Sequence, residues 1–386
     1  MFQTRHQRAF WLQAAIGAAL IAAALLLVRA IHISLEARGL SSGFAFLERS
    51  TGWDVAFSLI PYTPADPYWR VLLVGLLNTV FLGAIGLSLA TLIGIAVGIL
   101  RISKNPVIAF LGTAYVELLR NVPLILQVFF WYAIFIHLPR PREAVTVLEG
   151  IILTSRGVFL PGLNLQPGIA LAAAAVFLGL LLAALVLALL PRPSIGARIW
   201  LPRAVRACLL GAVLGAGALL WAGRMPEMPF IQVAYLKGLN FRGGIRLSPE
   251  LAALITAIAL YGGAFIGEII RAGFLAVGHG QIEAAQALGL GPWKVMARVR
   301  LPLALRSVLP TLTNQYVWLL KATTMGIVVG FSDLFLVIST AINQSGQTLE
   351  LIGILMAGFL ILNNALAAAM NLVNRRIALR GTQIRT

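Results

Sequence analysis

Apolar runs long enough to cross a lipid bilayer recur along this chain, and that feature excludes most folds otherwise open to 386 residues. A helical span needs roughly 20 apolar residues. The hydrocarbon interior offers no water to an exposed backbone, so only helices and closed barrels cross it. Runs near 10–33, 71–100, 107–137, 168–190, 207–222, 250–275, 308–335 and 350–374 are candidate helices. The sequence therefore predicts an all-α, polytopic membrane protein with about eight transmembrane helices. With 60% of residues hydrophobic, 11% charged and a mean hydropathy of +0.91, the composition excludes an ordinary soluble domain. The first run follows Arg5 and Arg8 as a signal peptide would. It is long and lacks a small-residue cleavage site, so a retained anchor is expected.

The net charge of +17 reads as topology. With the N-terminus in the cytoplasm, 16 Lys and Arg residues fall in inside loops and ten in the longer outside loops. Both termini are predicted cytoplasmic, and the basic residues, interleaved with apolar runs, do not form a nucleic-acid surface. Nine of 13 acidic residues fall in outside segments or at the outer ends of spans, whereas Glu283 is alone in an inside loop. The outside segments 34–70, 139–167 and 223–249 are rich in Gly, Pro and aromatics, with Trp53, Tyr62, Tyr68 and Trp69 suited to the headgroup level, and are expected to form ordered caps. Cys208 is the sole cysteine, and His6, His32, His137 and His279 have no ligand spacing, so no disulfide or metal centre is expected. The phosphate-binding Gly-x-x-x-x-Gly-Lys-Ser/Thr loop is missing, so the chain is not expected to be an enzyme that hydrolyses nucleotide.

The inside loop 276–306 has its own pattern. Residues 281–288 favour helix, Gly289 and Gly291 suit a C-cap and a turn, and Pro292 suits the first position of a second helix. Glu283 lies near the positive end of the first helix. Such a helix can seat in a partner's groove, or lie on the inner leaflet anchored by Trp293, Lys294 and Arg298. Within the spans, Glu117 with Arg120 and Glu268 with Arg271 stand three residues apart, the spacing of self-neutralising ion pairs. Lys321 lies mid-span without such a neighbour and needs a partner from another helix or an aqueous path.

Glu283-Ala284-Ala285, Gly289 and Val299-Arg300-Leu301-Pro302 resemble the EAA loop of ABC importer permeases, with Val299 in place of Ile. The block Gly75-Leu76-Leu77-Asn78-Thr79 is similar to polar amino-acid permeases of the histidine/glutamate/glutamine type. So are Glu117 to Gln127, Ala264 to Gly273 and Pro310 to Gln315. The enlarged layout looks like the first permease subunit of general L-amino-acid or glutamate/glutamine/aspartate/asparagine uptake systems. Lys321-Ala322-Thr323-Thr324 departs from the many relatives with an acidic or amide residue after the Lys.

The resemblance implies a type I ABC importer transmembrane fold with N-terminal and central additions. Residues 1–70 would form an anchor helix and periplasmic segment, 71–138 and 250–386 the permease core, and 139–249 an inserted transmembrane hairpin. Glu283, Ala284, Ala285 and Gly289, with Leu301 and Pro302, would couple to a cytoplasmic ATPase. The implied partners are a second homologous permease subunit, two copies of the ABC ATPase, a periplasmic amino-acid-binding protein and membrane lipid, in a bacterial inner membrane. ATP and Mg would be held by the ATPase, with no cofactor on this chain. A zwitterionic cargo needs donors for its carboxylate and acceptors for its ammonium, and Asn121, Gln127, Asn314, Gln315 and Lys321 are candidates; bonding between helices is the competing role. An ion-coupled secondary transporter is the alternative, but it predicts inverted repeats and the halves show no internal similarity.

Overall fold

The computed structural model describes residues 43–377 apart from 149, 167, 190–194 and 226–228, with scattered helical residues between 12 and 30. Its helices are α1 (Tyr68–Arg101), α2 (Pro106–Asn121), α3 (Leu124–Ile136), α4 (Ile169–Leu189), α5 (Ile195–Ala222), α6 (Pro249–Leu275), α7 (His279–Ala287), α8 (Leu301–Ala322), α9 (Leu334–Ser345) and α10 (Thr348–Ile377). Among the described residues, α1, Trp200–Ala222 of α5, α6 and Thr348–Asn374 of α10 are long and apolar enough to span, and two bent helix pairs raise the number to at most six. Of the two further spans expected, 10–33 lies largely outside the described residues, and α4, over 168–190, includes residues outside them.

The core is the seam between α1 and α6, made close by glycine. A Cβ on Gly86, Gly94 or Gly98 would come within 2.8 Å of Ile258, Ile266 or Ile270, and one on Gly263 within 2.6 Å of Ile93. Small residues let helix backbones approach where lipid provides no hydrophobic drive between them. Leu82, Ala90, Leu254, Ile258, Ile266 and Leu319 are all essentially buried in this layer, where α3 and α8 also pack.

Two expected spans are broken. The run 107–137 is two helices meeting at 102°. Pro123 has no N–H and forces Val122 into extended backbone (φ −96°, ψ 124°), which ends α2. Gln127, 4% exposed, donates from Nε2 to the carbonyls of Leu119 (2.8 Å) and Val122 (3.0 Å), which the break leaves without helical partners. The run 308–335 passes through a 3-10 segment, Thr323–Val329, then turns at Gly330 (φ 79°) and bends by 50° into α9. Side chains of α1 hold that break: Asn78 Nδ2 donates to Ser332 O (2.8 Å), and Leu334 N–H donates to Thr79 Oγ1 (2.9 Å). Asp333 caps α9, its Oδ1 accepting from Leu336 N–H at 2.9 Å.

The chain is mostly helical, as expected, and the central insertion adds short strands. Strands β1 (Val145–Leu148), β2 (Ile151–Thr154), β3 (Gly157–Leu160), β4 (Gly162–Leu163), β5 (Ile231–Gln232), β6 (Tyr235–Lys237), β7 (Asn240–Arg242) and β8 (Ile245–Leu247) flank the α4–α5 hairpin. They form an antiparallel sheet in the order β1-β2-β3-β8 and two smaller pairs, β4-β5 and β6-β7. Val158 pairs with Leu247, so the sheet closes the base of the excursion before Ser248 caps α6. Ile152, Phe159 and Ala234 form its small core, with Phe241 against Phe159. Strands of two to four residues are too short to display a period of two. Helices α4 and α5 pack chiefly on each other, Gly211 facing Leu180 and Gly215 facing Val176.

Residues 43–67 fold over the N-terminal end of α1. Phe46 and Tyr68 are buried with Val71, Leu334 and Val337, and the Tyr62 hydroxyl donates to Trp53 O at 2.9 Å. Of the aromatics expected at the headgroup level, Tyr68 is instead 5% exposed inside this cluster, whereas Trp69 is 46% exposed. The seam generates a prediction. Gly94→Leu should lower the thermal stability of the detergent-purified protein by roughly 1–3 kcal/mol through overpacking. Gly179→Leu, at a position with open space, should leave it within about 0.5 kcal/mol. Equal melting of the two variants would contradict the glycine-dependent seam.

Candidate functional site

The loop between α6 and α8 is folded as a helix, a turn and a second helical stretch. Helix α7 ends in paired C-cap bonds, Gly289 N–H to Gln286 O (2.9 Å) and Leu290 N–H to Ala285 O (3.2 Å), which require the left-handed Gly289 (φ 75°). Ala285, 5% exposed, and Ile282 face inward, where Phe274, Val277, Ala304 and Ile102 pack nearby. Glu283 and Ala284 face outward. Leu288 and Trp293 are 82% and 79% exposed, apolar groups left uncovered beside a carboxylate. Past Gly291 the chain makes one helical turn, Pro292–Val295, and a π-helical stretch, Met296–Arg300, which leads into α8. Pro302 lacks an N–H for a regular helical bond, and the wider turns lie directly before it. Leu301 is 40% exposed at the start of α8.

A charged cluster ties this end of the molecule together. Glu268 accepts from Arg271 at 2.6 Å, and its other oxygen takes the guanidinium of Arg101, the last residue of α1. Arg101 is buried, its side chain 8% exposed, so this carboxylate neutralises a charge brought from another helix. Sequence spacing finds Arg271 but not Arg101, 167 positions away.

Glu117 and Arg120, expected to pair, do not. Among the described residues Glu117 meets only the Asn121 amide, at 3.4 Å, while the Arg120 guanidinium lies 4.9 Å from the centre of the Phe265 ring. The electron-rich ring face competes successfully for the cation. Phe265, Tyr261 and Trp318 form one aromatic group, with Trp318 stacked 5.5 Å from Tyr261. Trp318 belongs to a stripe on α8, Ser307, Thr311, Asn314, Trp318 and Lys321, whose steps of three and four keep it on one face. All five are exposed in the isolated chain, and the side chains of Asn314 and Lys321 make no hydrogen bond or ion pair among the described residues. Gln315 is half-buried beside them. Lys321 thus stands at an open face near the end of α8, before the bend into α9. Gln127 commits its Nε2 to the α2–α3 break, while its buried Oε1 has no partner among the described residues. Among the described residues no group of three His, Cys, Asp or Glu side chains could hold a metal ion.

Residues 90–379 match the family described as "Binding-protein-dependent transport system inner membrane component". The chain is 39% identical to the putative amino-acid ABC transporter permease protein YhdX of Escherichia coli (strain K12), over 90% of its own length and 88% of that protein's. It is 36% identical to the general L-amino acid transport system permease protein AapQ of Rhizobium johnstonii, over 90% and 86%. The glutamate/glutamine/aspartate/asparagine transport system permease protein BztB of Rhodobacter capsulatus is 32% identical over 98% and 96%.

The cluster at the end of α1 gives a direct test. Glu268→Gln leaves the buried Arg101 without its anion and should cost about 1–3 kcal/mol of stability. The double variant Arg101→Leu with Glu268→Gln should recover part of that loss, read by thermal unfolding in detergent. Simple addition of the two losses would show that the charges act independently.

Proposed function

We propose a transport role from one premise: the chain belongs to the binding-protein-dependent transport system inner membrane components, the permease subunits of ABC transporters. Its cargo is an amino acid, as the names of its relatives suggest. Energy comes from ATP hydrolysed with Mg on separate ATPase subunits, two copies per complex. The observation that carries this reading is the surface of loop 276–306, where Glu283 and Ala284 of α7 stand clear of the core and Leu288 and Trp293, past its end, are uncovered. A helix and turn with exposed acidic and apolar groups fit a cleft in a partner protein. The family membership favours this over a helix resting on lipid, and over coupling to an ion gradient.

The α8 stripe supports a second permease subunit. A lysine and an asparagine facing hydrocarbon would be costly, whereas a homologous chain opposite them would enclose a wet path between the two. In that path Lys321, Asn314 and Arg120, with Asn121 and Gln315 near, offer donors for a carboxylate, and Glu117 offers an acceptor for an ammonium. A periplasmic amino-acid-binding protein delivers the cargo at the opposite end from α7. The insertion 139–249 is an accessory to the core, and both termini lie in the cytoplasm with α7.

Purified from the membrane, the active assembly should contain this chain, a related permease and an ATPase. Its vesicles should take up amino acid only with ATP on the α7 side. Uptake driven by an ion gradient without any ATPase would overturn the reading. Glu283→Lys should insert at normal levels yet lose most ATP-driven uptake, because it reverses the charge near the N-terminus of the docking helix. Wild-type uptake by that variant would show that α7 merely rests on the membrane.

A further inference from the structure

Behind α7, two hollows meet at one phenylalanine. The first, of 420 Å³, lies between the inner face of α7, the end of α6 and the turn after α1; Lys104, His279 and Arg300 are on its wall beside Val277 and Ile282. The second, of 110 Å³, is a groove between α1, α6 and α8 lined only by apolar residues, among them Ile95, Ile99, Ile270 and Leu305. Phe274 belongs to both. The Arg300 guanidinium lies 5.5 Å from the centre of its ring, and the buried Arg300 Nε has no hydrogen-bond partner among the described residues.

The arrangement has a direction. Ile95 and Ile99 stand above Arg101, the end of α1, so the groove runs about 9 Å from the level of the polar chamber toward the membrane interior. Ile95, Ile99 and Leu305 are each at least 40% exposed, so the groove opens sideways. The Arg101 charge is taken by Glu268, whereas Lys104 and Arg300 have no carboxylate within ion-pairing distance among the described residues. A free anion would use only the chamber, and an apolar segment only the groove. A molecule with an anionic head and a hydrocarbon tail uses both.

We infer that the paired hollows bind one anionic diacyl phospholipid of the cytoplasmic leaflet, its phosphate against Lys104 and Arg300 and one acyl chain along Ile95, Ile99 and Leu305. Basic pockets on the cytoplasmic side of membrane helices take such headgroups. The lipid would fill the space behind α7, so that leaflet composition bears on the seating of the coupling element. The leaflet named rests on the orientation proposed above; binding itself does not.

Native mass spectrometry of the whole transporter complex, titrated with phosphatidylglycerol, tests this. The wild type should retain one phosphatidylglycerol per copy of this chain in preference to phosphatidylcholine. Lys104→Gln and Arg300→Gln should each weaken retention about five-fold, the contribution of one basic residue near an anionic membrane surface. Arg300→Lys should restore most of it. Lys104 is exposed, so its substitution leaves the fold intact. Glycerol phosphate, which has the head without the tails, should not displace the lipid; displacement would assign the chamber to free anions and overturn the inference. Undiminished retention by both Gln variants, or equal retention of phosphatidylcholine, would overturn it as well. A failure of the orientation would appear separately, as ATP acting from the wrong side of vesicles that still bind the lipid.

Discussion

The α1–α6 seam is the contact on which the rest of the structure depends. Gly86, Gly94 and Gly98 of α1 receive Ile258, Ile266 and Ile270, while Gly263 and Gly267 of α6 receive Ile93 and Val97. Each chain of contacts is reciprocal, a branched side chain entering the space where the opposite helix has none. In a bilayer this close fit supplies dispersion without help from water, and every neighbour is then positioned from one rigid pair. Tyr115 of α2 hydrogen-bonds Leu260 O at 2.7 Å, α3 and α8 complete the layer, and Thr79 and Asn78 reach from α1 to the turn before α9.

The two breaks answer a second constraint, that backbone polar groups at membrane depth must find partners inside the protein. Gln127 meets it at the α2–α3 bend, and Asn78, Thr79 and Asp333 meet it at the α8–α9 bend. These four polar side chains are buried because they close backbone valences. The polar groups that remain open, Asn314, Lys321 and Arg120, lie on a face the chain leaves uncovered. Burial thus separates the polar residues that hold the fold from those left on the uncovered face.

What the sequence made legible follows from the range of each signal. Span positions and the helix, bend and helix of loop 276–306 are local patterns, and α1, α6 and α7 form where composition places them. Pro123 marked a boundary in plain sight, yet the apolar run across it disguised two helices at 102° as one. The β additions were illegible because pairs such as Phe159 with Arg246 join segments on either side of a helical hairpin. Likewise the i, i+3 rule holds for Glu268 with Arg271 but fails for Glu117 with Arg120, where the Phe265 ring from another helix takes the cation. Tertiary neighbours decide between equal local spacings.

The same packing bears on how a push at α7 would travel in the proposed coupling role. Ile282 packs in one cluster with Ile102 just beyond α1, Phe274 of α6, and Leu303 and Ala304 of α8, while Glu268 binds the end of α1 to α6. These side-chain contacts, at the edge of the 420 Å³ hollow, are the route by which a displacement would pass. A shift of α7 therefore loads α1, α6 and α8 together, and α8 carries the Asn314 to Lys321 face at its far end. The π-helical stretch before Pro302 is the place in that linkage where the helical bonding is irregular, so bending there costs least. In the proposed coupling role, side-chain contact at α7 and compliance at the root of α8 would let one loop movement reach the open polar face.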